Sequence, residues 1–176
     1  MEWMVLVFRI PAEPSRHRVA VWRELRRTGA VSLGQSAWLA PAAPAFADGI
    51  SRAVAIIQAA GGEAIVLDAS GYQSADAERL AAVYSTAREA EWVEFLDECG
   101  KYLAEIDKEI ATAKLTLAEL DEEEQSLERL RRWHRKLRLR DVLGAPSAAG
   151  ADQRLKECEA KLEDYTQRVF QAVAGQ

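Results

Sequence analysis

The chain has 176 residues, of which 49% are hydrophobic and 29% are charged, and its formal net charge is −5. This balance is typical of a folded, helix-rich globular protein and excludes an intrinsically disordered chain. No apolar run is long enough to cross a bilayer, and the opening segment MEWMVLVFRIP lacks the basic leader of a secretory signal, so we expect no membrane association.

The first predicted elements are a strand and a helix. The run WMVLVFRI is rich in β-branched and aromatic residues and is stopped by Pro11 and Pro14. Ser15 is well placed to cap the helix that follows, and Gly29 is the type of residue that ends one. The spacing of its apolar residues predicts that this helix packs one side against a sheet.

The next elements are two short strands, a helix and a final strand. The runs AVSL and AWLAP, joined by GQS, predict a hairpin that ends at Pro41. A second helix is predicted from about Pro44, with Gly61 and Gly62 at its end, and EAIVLDA supplies the last strand. The order βαββαβ over residues 1–73 predicts a ferredoxin-like domain with two helices on one face of a four-stranded antiparallel sheet.

From Ser74 onward the apolar spacing is helical throughout. Thr116 followed by Glu119 is a capping-box pattern that opens a further helix. The segment DVLGAPSAAGAD interrupts the pattern, and Asp152 is expected to cap the last helix. We therefore predict an α+β protein in which residues 74–176 form an antiparallel helical hairpin or three-helix bundle.

The predicted packing has consequences for the core and for association. We expect Trp22, Leu25, Trp38 and Val66 to be largely buried where the helices meet the sheet. The opposite face of the sheet needs a cover as well, since an apolar sheet face is not stable in water. This favours a homodimer, unless the helical segment folds back over the sheet.

The sequence offers little support for catalysis. It has no glycine-rich phosphate loop, and His17 and His134 lack metal-ligand spacing, so we predict no cofactor, no metal and no enzymatic activity. Cys99 and Cys158 fall at apolar helical positions, where a thiol is usually inert. Two cysteines make no disulfide framework, which favours a reducing cytoplasm.

Charge is distributed unevenly along the chain. Residues 74–124 carry five basic and fifteen acidic side chains, whereas residues 125–141 carry seven basic and two acidic ones. In the first predicted helix, Arg16, Arg23 and Arg27 lie within about 40° of one another on a helical projection, and Arg18 and Arg26 flank the apolar arc. Guanidinium groups on one face match the phosphates of a nucleic acid, so we predict that this helix contacts DNA.

The second basic cluster lies in the sequence RLRRWHRKLRLR. It allows two interpretations, because acidic residues at a helix start and basic ones at its end also suit the helix dipole. Its arginines either add a flanking DNA contact or pair internally with acidic residues of the preceding helix. The arginines concerned are Arg131, Arg135 and Arg138, and the expected acidic partners are Glu94, Glu98 and Glu105.

Two segments of the chain resemble a known family. The first is RIPAEPSRHRVAVWRELRRTGAVSLGQSAWLAP, and the second is LTLAELDEEEQSLERLRRWHRKLRLRDVLGAP with its closing R-D-x-x-G-A-P. Both are similar to the N-terminal domain of the chromate-resistance regulator ChrB. The front half also resembles the ferredoxin-like domain of PaaX-type repressors and of small CRISPR-associated nucleases. Those nucleases place an acidic residue where this chain has Arg9 and Ile10, so nuclease activity is not expected.

This resemblance implies a cytoplasmic transcriptional regulator of chromate resistance that binds double-stranded DNA and responds to chromate as an effector. The arginines of the two basic clusters are the candidate DNA-binding residues. A second hypothesis from a different class stays open. In it the chain is a non-enzymatic interaction or dimerisation module that does not bind DNA.

Overall fold

The computed structural model describes residues 1–34 and 36–175, which form an α+β protein with a four-stranded antiparallel sheet and five α-helices. Contacts divide the chain into two compact units, residues 1–87 and residues 88–176. The predicted domain boundary after residue 73 stays a prediction. The elements are, in chain order, β1 (Trp3–Arg9), α1 (Arg16–Thr28), β2 (Val31–Gly34), β3 (Ala37–Pro41), α2 (Pro44–Ala59), β4 (Glu63–Ala69), α3 (Ser74–Ala111), α4 (Leu117–Arg140) and α5 (Ala148–Ala174).

The sheet of the first unit has the strand order β2-β3-β1-β4, and every neighbouring pair is antiparallel. The central strand β1 pairs Leu6 with Trp38 of β3 on one side and with Val66 of β4 on the other. The predicted hairpin is present as β2 and β3, and β3 ends at Pro41 as expected. Its predicted turn includes Gln35, which lies outside the described residues.

The core of the first unit confirms two of the four residues expected there. Leu25 is fully buried and Trp38 is nearly so, together with Leu6. The other two predictions were wrong, because Trp22 is 52% exposed and Val66 is 42% exposed.

The two wrong predictions have different physical reasons. The buried stripe of α1 runs through Val21, Glu24 and Leu25, so the helix is rotated relative to the arc expected from its apolar residues. Trp22 was expected in the core, but the structure buries Glu24 on this helix and leaves Trp22 half exposed. Val66 lies on the outermost strand, β4, where only one neighbouring strand flanks it and much of its side chain is left uncovered.

The second face of the sheet is only partly covered. At one end Trp3 packs against Tyr84 of α3, with ring centroids 5.3 Å apart and both residues buried. Further along, Val7 lies opposite Ile65 in the register of β1 and β4, and both are exposed. Leu67 is also exposed, so the sheet presents an apolar patch around β4.

The second unit is built from α4, α5 and the part of α3 that follows residue 87, which share a buried apolar cluster that includes Trp92, Phe95 and Tyr165. The hydroxyl oxygen of Thr116 accepts a hydrogen bond from the backbone N–H of Glu119 at 3.2 Å, which confirms the predicted start of α4. None of the described helices is both long and apolar enough to cross a membrane.

The predicted start of the last helix was wrong. The helix α5 begins at Ala148, directly after Ser147, and Asp152 lies inside its first turns. The chain turns back into helix earlier than expected because backbone hydrogen bonds after the DVLGAP segment already close a turn, with the N–H of Ala148 donating to the carbonyl of Ala145 at 3.1 Å. The carboxylate of Asp152 binds side chains of α4 instead of capping a helix.

Candidate nucleic-acid interface

The helix α1 carries all five arginines of the first basic cluster. It begins at Arg16 and is ended by Gly29, whose φ of 89° is the left-handed conformation that glycine adopts readily. Ser15 occupies the position before the helix, but its side chain makes no capping hydrogen bond, so this expected cap is absent. All five arginines are exposed: Arg16, Arg18, Arg23, Arg26 and Arg27.

The acidic residue of α1, Glu24, is buried and has a structural role. Glu24 accepts hydrogen bonds from Arg27 Nη2 at 2.5 Å and from Arg52 Nε of α2 at 2.8 Å. Burial by itself would raise the pKa of Glu24, but the hydrogen bonds from Arg52 and Arg27 hold that pKa below its usual value of 4.5. Glu24 is therefore a charged anchor between α1 and α2, and Arg27 is tied to it.

The remaining arginines of α1 are not neutralised in this way. Within residues 1–34 and 36–175, no acidic side chain lies within ion-pair distance of Arg16, Arg18, Arg23 or Arg26. Arg26 instead lies over the ring of Trp22, with its guanidinium carbon 5.5 Å from the ring centroid. The outer face of α1 thus combines unpaired guanidinium groups with one exposed indole.

Trp22 is a candidate functional residue that the sequence reasoning missed. An exposed indole among cations is a typical recognition element, since it offers a large rigid surface with little conformational entropy to lose. A signal was present in the sequence, because Arg18, Trp22 and Arg26 follow one another at intervals of four residues. That spacing places all three side chains along one stripe of the helix.

The second basic cluster, in α4, is paired internally. Arg131 Nε lies 2.9 Å from Glu159 of α5, and Arg135 Nη2 lies 3.1 Å from Glu128 of α4 itself. The expected partners Glu94, Glu98 and Glu105 were wrong, since the acidic groups that these two arginines meet are on α4 and α5.

Arg138 has two contacts of its own. It pairs with Asp152 of α5, and its guanidinium carbon lies 5.9 Å from the centroid of the Trp92 ring. His134 Nε2 shares Asp152 at 2.7 Å. Burial would raise the pKa of Asp152, but the hydrogen bond with His134 and the charge of Arg138 lower it overall. These contacts join α4 to α5.

The structure gives no further reactive cluster in the described part of the chain. No three or more His, Cys, Asp or Glu side chains there are arranged to hold a metal ion. Cys99 and Cys158 are both free and fully buried, and the Cys158 thiol contacts the carbonyl oxygen of Cys99 at 3.7 Å. The side-chain hydrogen bond with Cys158, together with burial, holds the pKa of the Cys99 thiol far above its usual range.

These observations define an α+β protein with a basic helix exposed on its first unit. Comparison with protein families extends that description, because the family described as "Protein ChrB, N-terminal" matches residues 18–176. The chain belongs to this family, as its sequence resemblance indicated, and the membership associates it with chromate resistance. Searches of curated proteins and of solved structures gave no match.

Proposed function

We propose that this chain is a non-enzymatic regulator that acts in the cytoplasm and binds double-stranded DNA through the outer face of α1. The observation that carries the proposal is a set of exposed arginines that meet no acidic partner among the described residues: Arg16, Arg18, Arg23 and Arg26. Guanidinium groups of this kind suit the oxygens of a phosphate backbone, which they contact without reading the sequence. The family membership supports a role in chromate resistance.

The fold supports this proposal as well. We infer that the first unit is a ferredoxin-like domain, on the basis of its element order and the strand order β2-β3-β1-β4. We infer that α3, α4 and α5 form a three-helix bundle, because they share one buried apolar cluster. In this arrangement α1 is the basic surface, and the paired arginines of α4 stabilise the bundle.

Binding of a mixed-sequence DNA duplex over a salt series tests the proposal. The variant carries Arg16→Glu and Arg23→Glu. Arg27 is left unchanged because it binds Glu24, and Arg18 is left unchanged because it lines a cavity of the first unit. We expect a loss of affinity of about a hundredfold, and a salt dependence whose slope falls by about two, since each phosphate contact contributes about one. The thermal unfolding temperature should not change, because both side chains are exposed.

A matched control reverses two arginines of the paired cluster, Arg131→Glu and Arg135→Glu. This control makes the same change of net charge, so it separates a local contact from a general electrostatic effect. We expect it to lower the thermal unfolding temperature and to leave most of the DNA affinity in place. Equal DNA affinity of the α1 variant and the unmodified chain would contradict the proposal. A loss of DNA affinity in the α4 variant alone would indicate that α4 contacts the DNA instead.

A specific observation favours a second candidate function, an interaction module that pairs with another copy of itself. The exposed residues Val7, Ile65 and Leu67 form an apolar patch beside the edge strand β4, and edge strands with apolar side chains are prone to pair. We propose a homodimer through this patch. Sedimentation of the unmodified chain and of Ile65→Lys tests it: a dimer that the substitution converts to a monomer supports the proposal, and a monomer at high concentration contradicts it.

The proposed regulator needs an effector, and the family resemblance implies chromate. We propose that chromate lowers the affinity of the chain for DNA. Sulfate is the matched control, because it has the same charge and a similar tetrahedral shape. A decrease in DNA affinity with chromate but not with sulfate supports a specific effector. An equal decrease with both anions would mean that the effect is one of ionic strength and would contradict the proposal.

A further inference from the structure

The first unit contains a cavity that shares Arg18 with the proposed DNA-binding face but is otherwise lined by residues that the DNA proposal does not use. Its volume is about 670 Å³, and it lies between the end of β1, the first half of α1 and the start of β3. This size is within the range of small-molecule sites, which are typically concave and mostly apolar with a few polar groups. Its lining residues include Phe8, Arg9, Ser15, Arg18, Trp22 and Trp38.

The walls of this cavity suit a flat apolar body. Phe8, Trp22 and Trp38 contribute three aromatic side chains, and the first two are at least partly open to solvent. The indole of Trp22 is half exposed, and the guanidinium of Arg26 lies over its ring. A half-exposed aromatic ring that faces a concave space gains most when a planar ligand covers it.

The polar groups of the cavity are cationic. Within the described residues, the guanidinium of Arg18 has no hydrogen bond or ion pair, and the side chain of Ser15 makes no capping hydrogen bond. Arg9 pairs with Glu63 at 3.1 Å, but both side chains are about four-fifths exposed, so the pair is weak and its guanidinium remains available. The described residues that line the cavity include no acidic side chain.

We propose that this cavity binds a small organic anion with a planar apolar body. The anionic group lies against Arg18, with Arg9 as a second cation, and the apolar body lies against Trp22 and Trp38. An inorganic oxyanion alone would leave the aromatic walls without a partner, and a neutral aromatic would leave the two guanidinium groups without one. In the proposed DNA-binding role, a ligand in the cavity makes Arg18 unavailable for contact with DNA. The test of the cavity itself uses no DNA.

Isothermal titration calorimetry of the full chain with naphthoate tests the proposal. We expect saturable binding, about a tenfold weaker affinity for Arg18→Gln through loss of a charge-assisted hydrogen bond, and a weaker affinity for Trp22→Ala. Arg18→Lys should retain part of the affinity because it keeps the charge. The matched control is Arg23→Gln, on the same helix and also exposed but outside the cavity, for which we expect no change.

Two further probes separate the alternatives. Naphthylmethanol has the same apolar body without the charge, and sulfate has a charge without the apolar body. Binding of either probe as tightly as naphthoate would overturn the proposal, in favour of an apolar patch or of an inorganic oxyanion site respectively. Absence of saturable naphthoate binding would overturn it as well, as would equal losses for Arg18→Gln and Arg23→Gln in variants that melt like the unmodified chain.

Discussion

The helices α1 and α4 are both rich in arginine and both bury one glutamate, but they use these residues in opposite ways. In α1 the buried Glu24 binds Arg27 and Arg52, while the other arginines on the helix face solvent and meet no acidic partner in the described part of the chain. The buried charge of α1 is thus neutralised, whereas its exposed charges are not paired with an acidic side chain among the described residues. The outer face of α1 is therefore available to an anionic partner.

In α4 the distribution is reversed. The buried Glu123 makes no ion pair with the described residues, and burial, followed by the charges of Glu105 and Glu109, raises its pKa. Three arginines of the same helix each meet a carboxylate instead: Arg131, Arg135 and Arg138. A dense run of arginines thus indicates a binding surface only where the neighbouring helices lack acidic groups to meet it.

The difference between α1 and α4 depends on which face of α1 is buried. Truncation of two side chains, one on each face of α1, tests this assignment. We expect Leu25→Ala to lower the free energy of unfolding by about 2–5 kcal/mol, because a fully buried side chain leaves a cavity. Trp22→Ala should cost less than about 1 kcal/mol, since its side chain is half exposed. Urea unfolding measures both, and a larger cost for Trp22→Ala would show that its indole belongs to the core.

The next effect concerns the buried acid of α1. Glu24→Gln removes a charge that two guanidinium groups bind, and we expect a loss of about 1–3 kcal/mol. Because the pKa of Glu24 is lowered in the folded state, its stabilisation is present above the ordinary value of 4.5 and is lost as the pH falls through the folded pKa. Urea unfolding across this range should show the cost of Glu24→Gln disappearing in acid.

The control for Glu24→Gln is Glu13→Gln, at an exposed acid that lies before the helix. We expect no change in stability there. A cost of Glu24→Gln that stays constant with pH would mean that the glutamate acts through packing alone.

In α4 we expect a smaller loss from Arg138→Gln. The substitution removes the ion pair with Asp152 and the contact with Trp92, which are partly exposed and together contribute about 1 kcal/mol. Thermal unfolding of this variant is compared with that of Arg132→Gln, an exposed arginine without an acidic partner in the described chain. Equal melting of the two variants would contradict a stabilising role for the paired cluster.

The smallest expected effect is an increase in stability, and it comes from a substitution of Glu123, the buried acid of α4. Glu123→Gln should stabilise the chain at neutral pH by about half a kcal/mol, the lower end of what single stabilising substitutions give. The raised pKa of Glu123 means that the folded state favours the protonated acid, so the stability of the unmodified chain declines as the pH rises through 4.5 toward the folded pKa. The gain should therefore vanish in acid, and Glu124→Gln, at an exposed neighbour, should show no gain at any pH.

The elements of the fold could be predicted from the sequence because their signals are local. Apolar spacing, prolines and glycines located all four strands and the long helices, and Thr116 correctly indicated the start of α4. The rotation of α1 could not be predicted in the same way. The burial of Glu24 depends on its cationic partners, and one of them, Arg52, lies 28 residues from Glu24 in the chain.

The same limit applies to the candidate site. Sequence showed that two runs of arginine exist, but not that one of them is paired, since Arg131 and Glu159 are 28 residues apart and Arg138 and Asp152 are 14 apart. The exposure of Trp22 was missed for the same reason, because the rotation of α1 could not be predicted from the sequence. A tryptophan at an apolar position is usually buried, but the buried face of α1 carries Glu24 and leaves Trp22 half exposed.

The segment between α4 and α5 shows how a loop can become intolerant of insertions. Asp141 accepts hydrogen bonds from the indole N–H of Trp92 at 3.0 Å and from the backbone N–H of Ala145 at 2.9 Å. At the other end of the loop, the backbone N–H of Ser147 donates to Glu89 at 3.0 Å. Both ends are thus fastened to α3, and the number of residues between them is set by the distance that they must span. Whereas surface loops commonly vary in length among related chains, an added residue here would break one of these attachments, so relatives that keep all three should keep the loop length too.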